Sequence, residues 1–167
     1  DLDVGSPIRV DPGFGIDAGW RLIGRESNKS SKSVETDICL KPGFSFFLRK
    51  NYYNAIVLSA ALSWRTTFSK GFFFELVATP GYMHKMYNAD VYEYSNGTFE
   101  KKRSSDPNLY LGGDLNVGYD FSKKKEDNGL GIIAGLGFFW RYPNNTQFVR
   151  HQYLKFGLTY TLRQIKS

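Results

Sequence analysis

The chain has 167 residues, enough for one domain, and 17% of them are aromatic; its 17 glycines, 14 phenylalanines and 11 tyrosines favour strands and turns over helices. Its net charge of +6 comes from basic residues scattered through patterned stretches and loops, not gathered on one segment, which argues against nucleic acid as a partner. No run of about eighteen apolar residues exists to make a membrane-spanning helix, and the single cysteine, Cys39, supplies neither an internal disulfide nor a metal framework.

Residues 1–12 are weakly patterned. Val4, Ile8 and Val10 hint at alternation, Pro7 argues against a central strand, and Asp11-Pro12-Gly13 reads as a turn. Asp1 opens no charged-then-apolar signal, so the chain is either cytosolic or has had its export leader removed. From Gly13 the pattern sharpens. Phe14, Ile16, Ala18, Trp20 and Leu22 alternate with Gly13, Gly15, Asp17, Gly19 and Arg21, the period-two signature of a two-faced strand. Residues 26–36 are polar and unpatterned and read as a loop.

Ile38, Leu40, Pro42, Phe44, Phe46 and Leu48 then alternate with Cys39, Lys41, Gly43, Ser45, Phe47 and Arg49. Residues 50–54 are a tight connection to a strand in which Ile56, Leu58, Ala60, Leu62 and Trp64 oppose Ala55, Val57, Ser59, Ala61, Ser63 and Arg65. So short a link makes the two antiparallel neighbours. After a turn at 66–71, Phe72, Phe74, Leu76, Ala78, Pro80 and Tyr82 oppose Phe73, Glu75, Val77, Thr79, Gly81 and Met83, and the strand is expected to run on through 87–95. Asn96-Gly97 is the strongest short hairpin signal in the chain. It predicts a protruding hairpin over 86–106, with Tyr92, Tyr94 and Phe99 on its arms and its charged tip in water.

The return strand sets Leu109, Leu111, Gly113, Leu115, Val117, Tyr119 and Phe121 against Tyr110, Gly112, Asp114, Asn116, Gly118 and Asp120. A charged turn at 122–128 leads to Leu130, Ile132, Ala134, Leu136, Phe138 and Trp140 opposite Gly131, Ile133, Gly135, Gly137, Phe139 and Arg141. A loop at 142–147 precedes the last strand, 153–163, where Leu154, Phe156, Leu158, Tyr160 and Leu162 oppose Tyr153, Lys155, Gly157, Thr159, Thr161 and Arg163.

Seven strands thus share one polarity, bulky and apolar on one face, small or ionic on the other. Strands of about ten residues with an apolar outside and a polar lumen are the pattern of a transmembrane β-barrel. The expected fold is all-β, a single antiparallel up-and-down barrel over 1–167. Bacterial barrels have even strand numbers, so residues 2–10 are assigned as a short first strand, giving eight. The inward charges Asp17, Arg21, Lys41, Arg49, Arg65, Glu75, Asp114, Asp120, Arg141, Lys155 and Arg163 carry both signs and are expected to pair in the lumen. Trp20, Trp64, Tyr82, Tyr119, Trp140 and Tyr160 are expected at the membrane interfaces.

In GYMHKMYN (81–88), VGYDFSKK (117–124) and FGLTYTL (156–162) the chain resembles small outer-membrane β-barrel proteins of the kind common in Bacteroidota, over roughly residues 13–163. It departs from them by running on to Ser167 instead of ending on an aromatic residue. The resemblance implies an integral protein of the cell outer membrane, in contact with outer-membrane lipid and lipopolysaccharide, on a scaffold with many uses. No metal, phosphate-loop or dinucleotide motif occurs, so no cofactor is expected. The leading expectation is a non-enzymatic structural or accessory subunit that meets another envelope protein or complex through its hairpin and loops. Two alternatives stand beside it. One is a lipid A acyl hydrolase or transferase using His84 or His151, although neither histidine is followed two residues on by serine; the other is a soluble lipocalin-like binding barrel.

Overall fold

The computed structural model describes residues 13–29, 32–49, 53–68, 70–88, 90, 92–101, 105–121, 129–142 and 151–161. These residues form strands β1 (Gly13–Asp17), β2 (Trp20–Lys29), β3 (Lys32–Arg49), β4 (Tyr53–Phe68), β5 (Phe72–Tyr87), β6 (Tyr92–Ser95), β7 (Thr98–Lys101), β8 (Ser105–Asp120), β9 (Gly129–Tyr142) and β10 (His151–Thr161), with no helix among them. The all-β, antiparallel, up-and-down architecture expected from the alternation is found, as a curled half-barrel. β1 and β2 both pair with β3, and the sheet continues through β4, β5, β8 and β9 to β10. β6 and β7 form a separate two-stranded sheet. Among the described residues no pairing joins β10 to β1 or β2.

β1 and β2 are one edge strand with an interruption, because Asp17 opposes Gly43 and Trp20 opposes Leu40 in unbroken register. Between them Ala18 N donates to Pro42 O at 3.1 Å, but Pro42 has no N–H to return. A bulge follows between Arg21 and Ile23, so Leu22 and Ile23 both remain exposed.

The faces divide as the period demands. Phe156 is 81% exposed, and Leu58, Leu62, Leu111, Leu115, Ile132, Leu136, Leu154 and Leu158 line the same convex surface. On the concave side Phe73 is fully buried and Glu75 only 1% exposed, among Ala55, Val57, Ala61, Met83, Asn116 and Phe139. Glycine makes that side narrow enough to fill. A Cβ at Gly118 would run into the Phe73 ring, and one at Gly137 into Tyr153 and Asp114.

Several boundaries differ from expectation. Residues 26–29 and 32–36 are strand and not loop: β2 reaches Lys29 and β3 starts at Lys32, because the backbone ladder continues where side-chain patterning has stopped. Tyr53 and Asn54 belong to β4, β4 runs to Phe68, β8 begins at Ser105, and β9 ends on Tyr142. The strand expected to run from 87 to 95 breaks after Tyr87, and the hairpin is its own sheet. Its turn is where the sequence put it, with Asn96 at φ 51 and Gly97 at φ 83, the left-handed pair that a two-residue hairpin loop requires. The assigned first strand at 2–10, the links at 50–52, 122–128 and 143–147, and Arg163 lie outside the described residues, as do the side chains of Arg49 and His151.

Candidate functional site

Charged side chains gather in the lower lumen, at the end away from the β6–β7 hairpin. Lys41 Nζ donates to Glu75 Oε1 at 2.5 Å, and Asn116 Nδ2 donates to Glu75 Oε2 at 3.0 Å. The Arg65 guanidinium lies 3.6 Å from the centre of the Phe73 ring, on ladder rows shared with Asp37 and Glu75. Arg21 reaches Glu35 Oε1 at 3.0 Å and Asp37 Oδ1 at 2.7 Å. Across β9, Lys155 Nζ meets Asp114 Oδ2 at 2.9 Å, and the Tyr153 hydroxyl donates to Asp114 Oδ1. Asp120 closes the foot of β8, its N–H bonded to Gly71 O at 2.8 Å. Asp17 stands apart, exposed on β1. Glu35, Asp37, Asn116 and Tyr153 were not singled out from the sequence. The signal for Glu35 and Asp37 was parity, since both continue the inward face of Cys39, Glu35 within the stretch read as a loop and Asp37 just before Ile38.

Above these charges sits an apolar plug of Ala55, Val57, Met83, Tyr110 and Phe139, backed by Phe47, Tyr53 and Tyr153. Beyond the plug is a second polar layer. Arg141 Nη1 donates to Tyr53 OH at 3.4 Å, Lys85 lies 5.8 Å from the centre of the same ring, and Tyr87 OH donates to Asp106 Oδ2 at 2.6 Å. Tyr87 ends β5 on the hairpin side. Burial, followed by its bond to Asp106, pushes its phenol from the usual 10 up to about 12. The plug lies between the two polar layers.

The lumen contacts also reveal how the strands tilt. Phe47 shares ladder rows with Ala55 and Lys85, and Phe139 with Gly112 and Thr79. The two rows meet β5 at positions 85 and 79, yet the rings lie 6.1 Å apart across the lumen. Lys155 shares rows with Gly135, Asn116 and Glu75 but binds Asp114, whose row meets Val77. Both offsets run the same way. Strands tilted by about 40° and spaced about 4.8 Å apart climb by about 1.2 residues per strand, in accord with both.

That climb sorts the exposed aromatic residues by height. Trp20, Trp64 and Tyr119 lie on rows meeting Ala78, Leu76 and Phe72 of β5, and Tyr160 lies opposite Leu130. Corrected for tilt, all four come close to the height of Phe74. Trp140, whose row meets Leu111 and Pro80, comes to the height of Tyr82. The two levels are about 20 Å apart along the axis, taking a rise of about 3.3 Å per residue. Between them the convex face is apolar, with Leu40, Leu62, Leu76, Leu115, Leu136, Phe156 and Leu158.

His84 lies on the outer face, its ring stacked on Tyr82 with Nδ1 3.3 Å from the hydroxyl. The ring of His84 faces the phenol of Tyr82 there. Among the described residues no group of three His, Cys, Asp or Glu side chains could hold a metal ion. On the hairpin, Tyr92, Tyr94 and Phe99 are all exposed, Tyr94 packs on Phe99 at 5.1 Å between ring centres, and Lys101 pairs with Asp90 at 2.7 Å. Compared with protein-family models, curated proteins and solved structures, the chain matches none.

Proposed function

We propose that this chain is an integral outer-membrane β-barrel protein with a structural or accessory role, which meets other envelope components through the β6–β7 hairpin. The observation that carries the reading is the inversion of polarity. The convex face between the two aromatic levels is apolar and exposed, while Glu75, Asn116, Lys85 and Asp120 are buried within. A soluble binding barrel would turn those leucines inward. An exposed apolar area of this extent needs a cover, and a band flanked by aromatic residues at roughly the bilayer's spacing fits lipid.

The hairpin supplies the interaction. It stands beyond the plugged lumen, belongs to a sheet of its own, and presents Tyr92, Tyr94 and Phe99 together, residue types enriched where proteins bind one another. Membrane fractionation of the native host, followed by gel migration with and without heating, tests the reading. The protein is expected in detergent-soluble outer membrane, with a fast-migrating unheated form. Recovery in the soluble fraction without detergent would overturn the location.

A further inference from the structure

Between the aromatic plug and the Lys41–Glu75 pair, the inward face of β3, β4 and β5 is built of small side chains. Gly43, Ser59 and Gly81 share one ladder row, and Ala61 and Thr79 are the next inward positions below it. The opposite wall reaches this level with a charged pair. Ser59 meets β5 at Gly81 and Lys155 meets it at Glu75, the same offset, four strands apart, as between Phe47 and Phe139. Lys155 therefore faces Ser59, with its Nζ 2.9 Å from Asp114 Oδ2. A cavity reaches into this chamber, lined by Ser63, Val77, Asp114 and Tyr153 below and by Met83 and Phe139 of the plug above.

Two buried oxygens meet at its floor. Ser63 is 1% exposed and Asn116 fully buried, and neither Ser63 Oγ nor Asn116 Oδ1 has a hydrogen-bond partner among the described residues. Ser63 shares a row with Val77, and Asn116 with Glu75. Over the two strands between them a climb of about 1.2 residues per strand brings both to one height. Asn116 Oδ1 is turned across the lumen face, into the space that a side chain at Gly135 would take. Leaving such groups unsatisfied is costly.

The chemistry of the walls selects what satisfies them. Asn116 Oδ1 only accepts and Ser63 Oγ accepts or donates, so the ligand brings hydroxyl donors. Lys41 is paired with Glu75 and Lys155 with Asp114, so the ligand brings no net charge. Met83 and Phe139 at the roof take a carbon face. Asn116 and Gly112, whose row holds Phe139, are separated by about 10 Å along the axis, room for one ring. We infer that this chamber binds a neutral polyol of single-sugar size, with its hydroxyls on Asn116 and Ser63 and its carbon face against Phe139 and Met83. Such binding adds to the structural role proposed for the chain and does not depend on it.

Two-dimensional NMR of the full chain, folded in micelles of an amine-oxide detergent that carries no sugar, tests the assignment, with D-glucose, D-galactose and myo-inositol as probes. At least one is expected to shift the Asn116 side-chain amide saturably, with a Kd of about 10 mM or tighter. Cyclohexanol, of similar size with a single hydroxyl, is expected to bind about tenfold more weakly. Ser63→Ala should weaken polyol binding by about tenfold with the unfolding midpoint unchanged, and Ala61→Leu, which fills the chamber, should abolish it. No saturable shift with any of the three probes would mean that water alone serves the two oxygens, and would overturn the inference. Undiminished binding by Ser63→Ala, or equal binding of cyclohexanol, would overturn it as well.

Discussion

At the scale of single residues, the lumen is held by a few pairs whose cost when broken exceeds their worth when whole. Glu75 is buried against Lys41 and Asn116, so removing the carboxylate leaves an ammonium without its partner. Glu75→Ala is expected to destabilise the protein by about 3–5 kcal/mol, whereas the double change Lys41→Met with Glu75→Leu is expected to lie near neutral. Urea unfolding in micelles, followed by tryptophan fluorescence, measures both. Gly118 offers a steric counterpart, since a Cβ there meets Phe73. Gly118→Ala is expected to cost about 1–3 kcal/mol by overpacking, and Phe73→Leu in the same chain should recover part of it.

Tyr87 gives the pH dependence. Its phenol titrates near 12 when folded against the usual 10, so below pH 10 both states are protonated and the bond to Asp106 contributes in full. As pH rises from about 10 to about 12 the unfolded phenol gives up its proton first, and that contribution is lost. The difference in 295 nm absorbance between the native chain and Tyr87→Phe should therefore rise with a midpoint near 12. A midpoint near 10 would mean that the phenol is neither buried nor bonded to Asp106.

At the scale of elements, the hairpin and the half-barrel are separable. Among the described residues β6 and β7 pair only with each other, and their turn needs positive φ at Asn96 and Gly97. Gly97→Val places a β-branched residue in a conformation it resists. The expected result is loss of the hairpin, read as loss of whatever envelope partner co-purifies under mild detergent, with the unfolding midpoint of the barrel unchanged. The edge strand shows the same logic in reverse. Pro42 interrupts the ladder between β1 and β2, yet the register on either side is continuous, because the remaining pairs along β3 hold it.

At the scale of the whole molecule, depth decides what a substitution costs. Leu115 sits midway between the two aromatic levels, Tyr119 at the lower one. If lipid covers the convex face, Leu115→Lys should cost about 2–4 kcal/mol and Tyr119→Lys about 0–1 kcal/mol of charge penalty, by the depth dependence of lipid-facing lysines. Folding titrations into lipid vesicles distinguish the two. Equal costs would remove lipid from the outer face.

What the sequence determined by itself was the face each residue takes and the class of the fold, because alternation is local: a period of two assigns Leu115 outward and Asn116 inward whatever the neighbours are. The Asn96-Gly97 turn was legible for the same reason, being set by the backbone freedom of two residues. Glu35 was hidden, since its stretch is polar over most of its length and only the ladders to β2 and β4 carry it on as strand. Which charge meets which, as Lys41 meets Glu75 and Lys155 meets Asp114, was decided by tertiary structure. Those pairs skip a strand, and their meeting depends on tilt and curvature that arise only when the sheet curls. The aromatic levels have the same origin, in a tilt of the strands that no stretch of sequence spans.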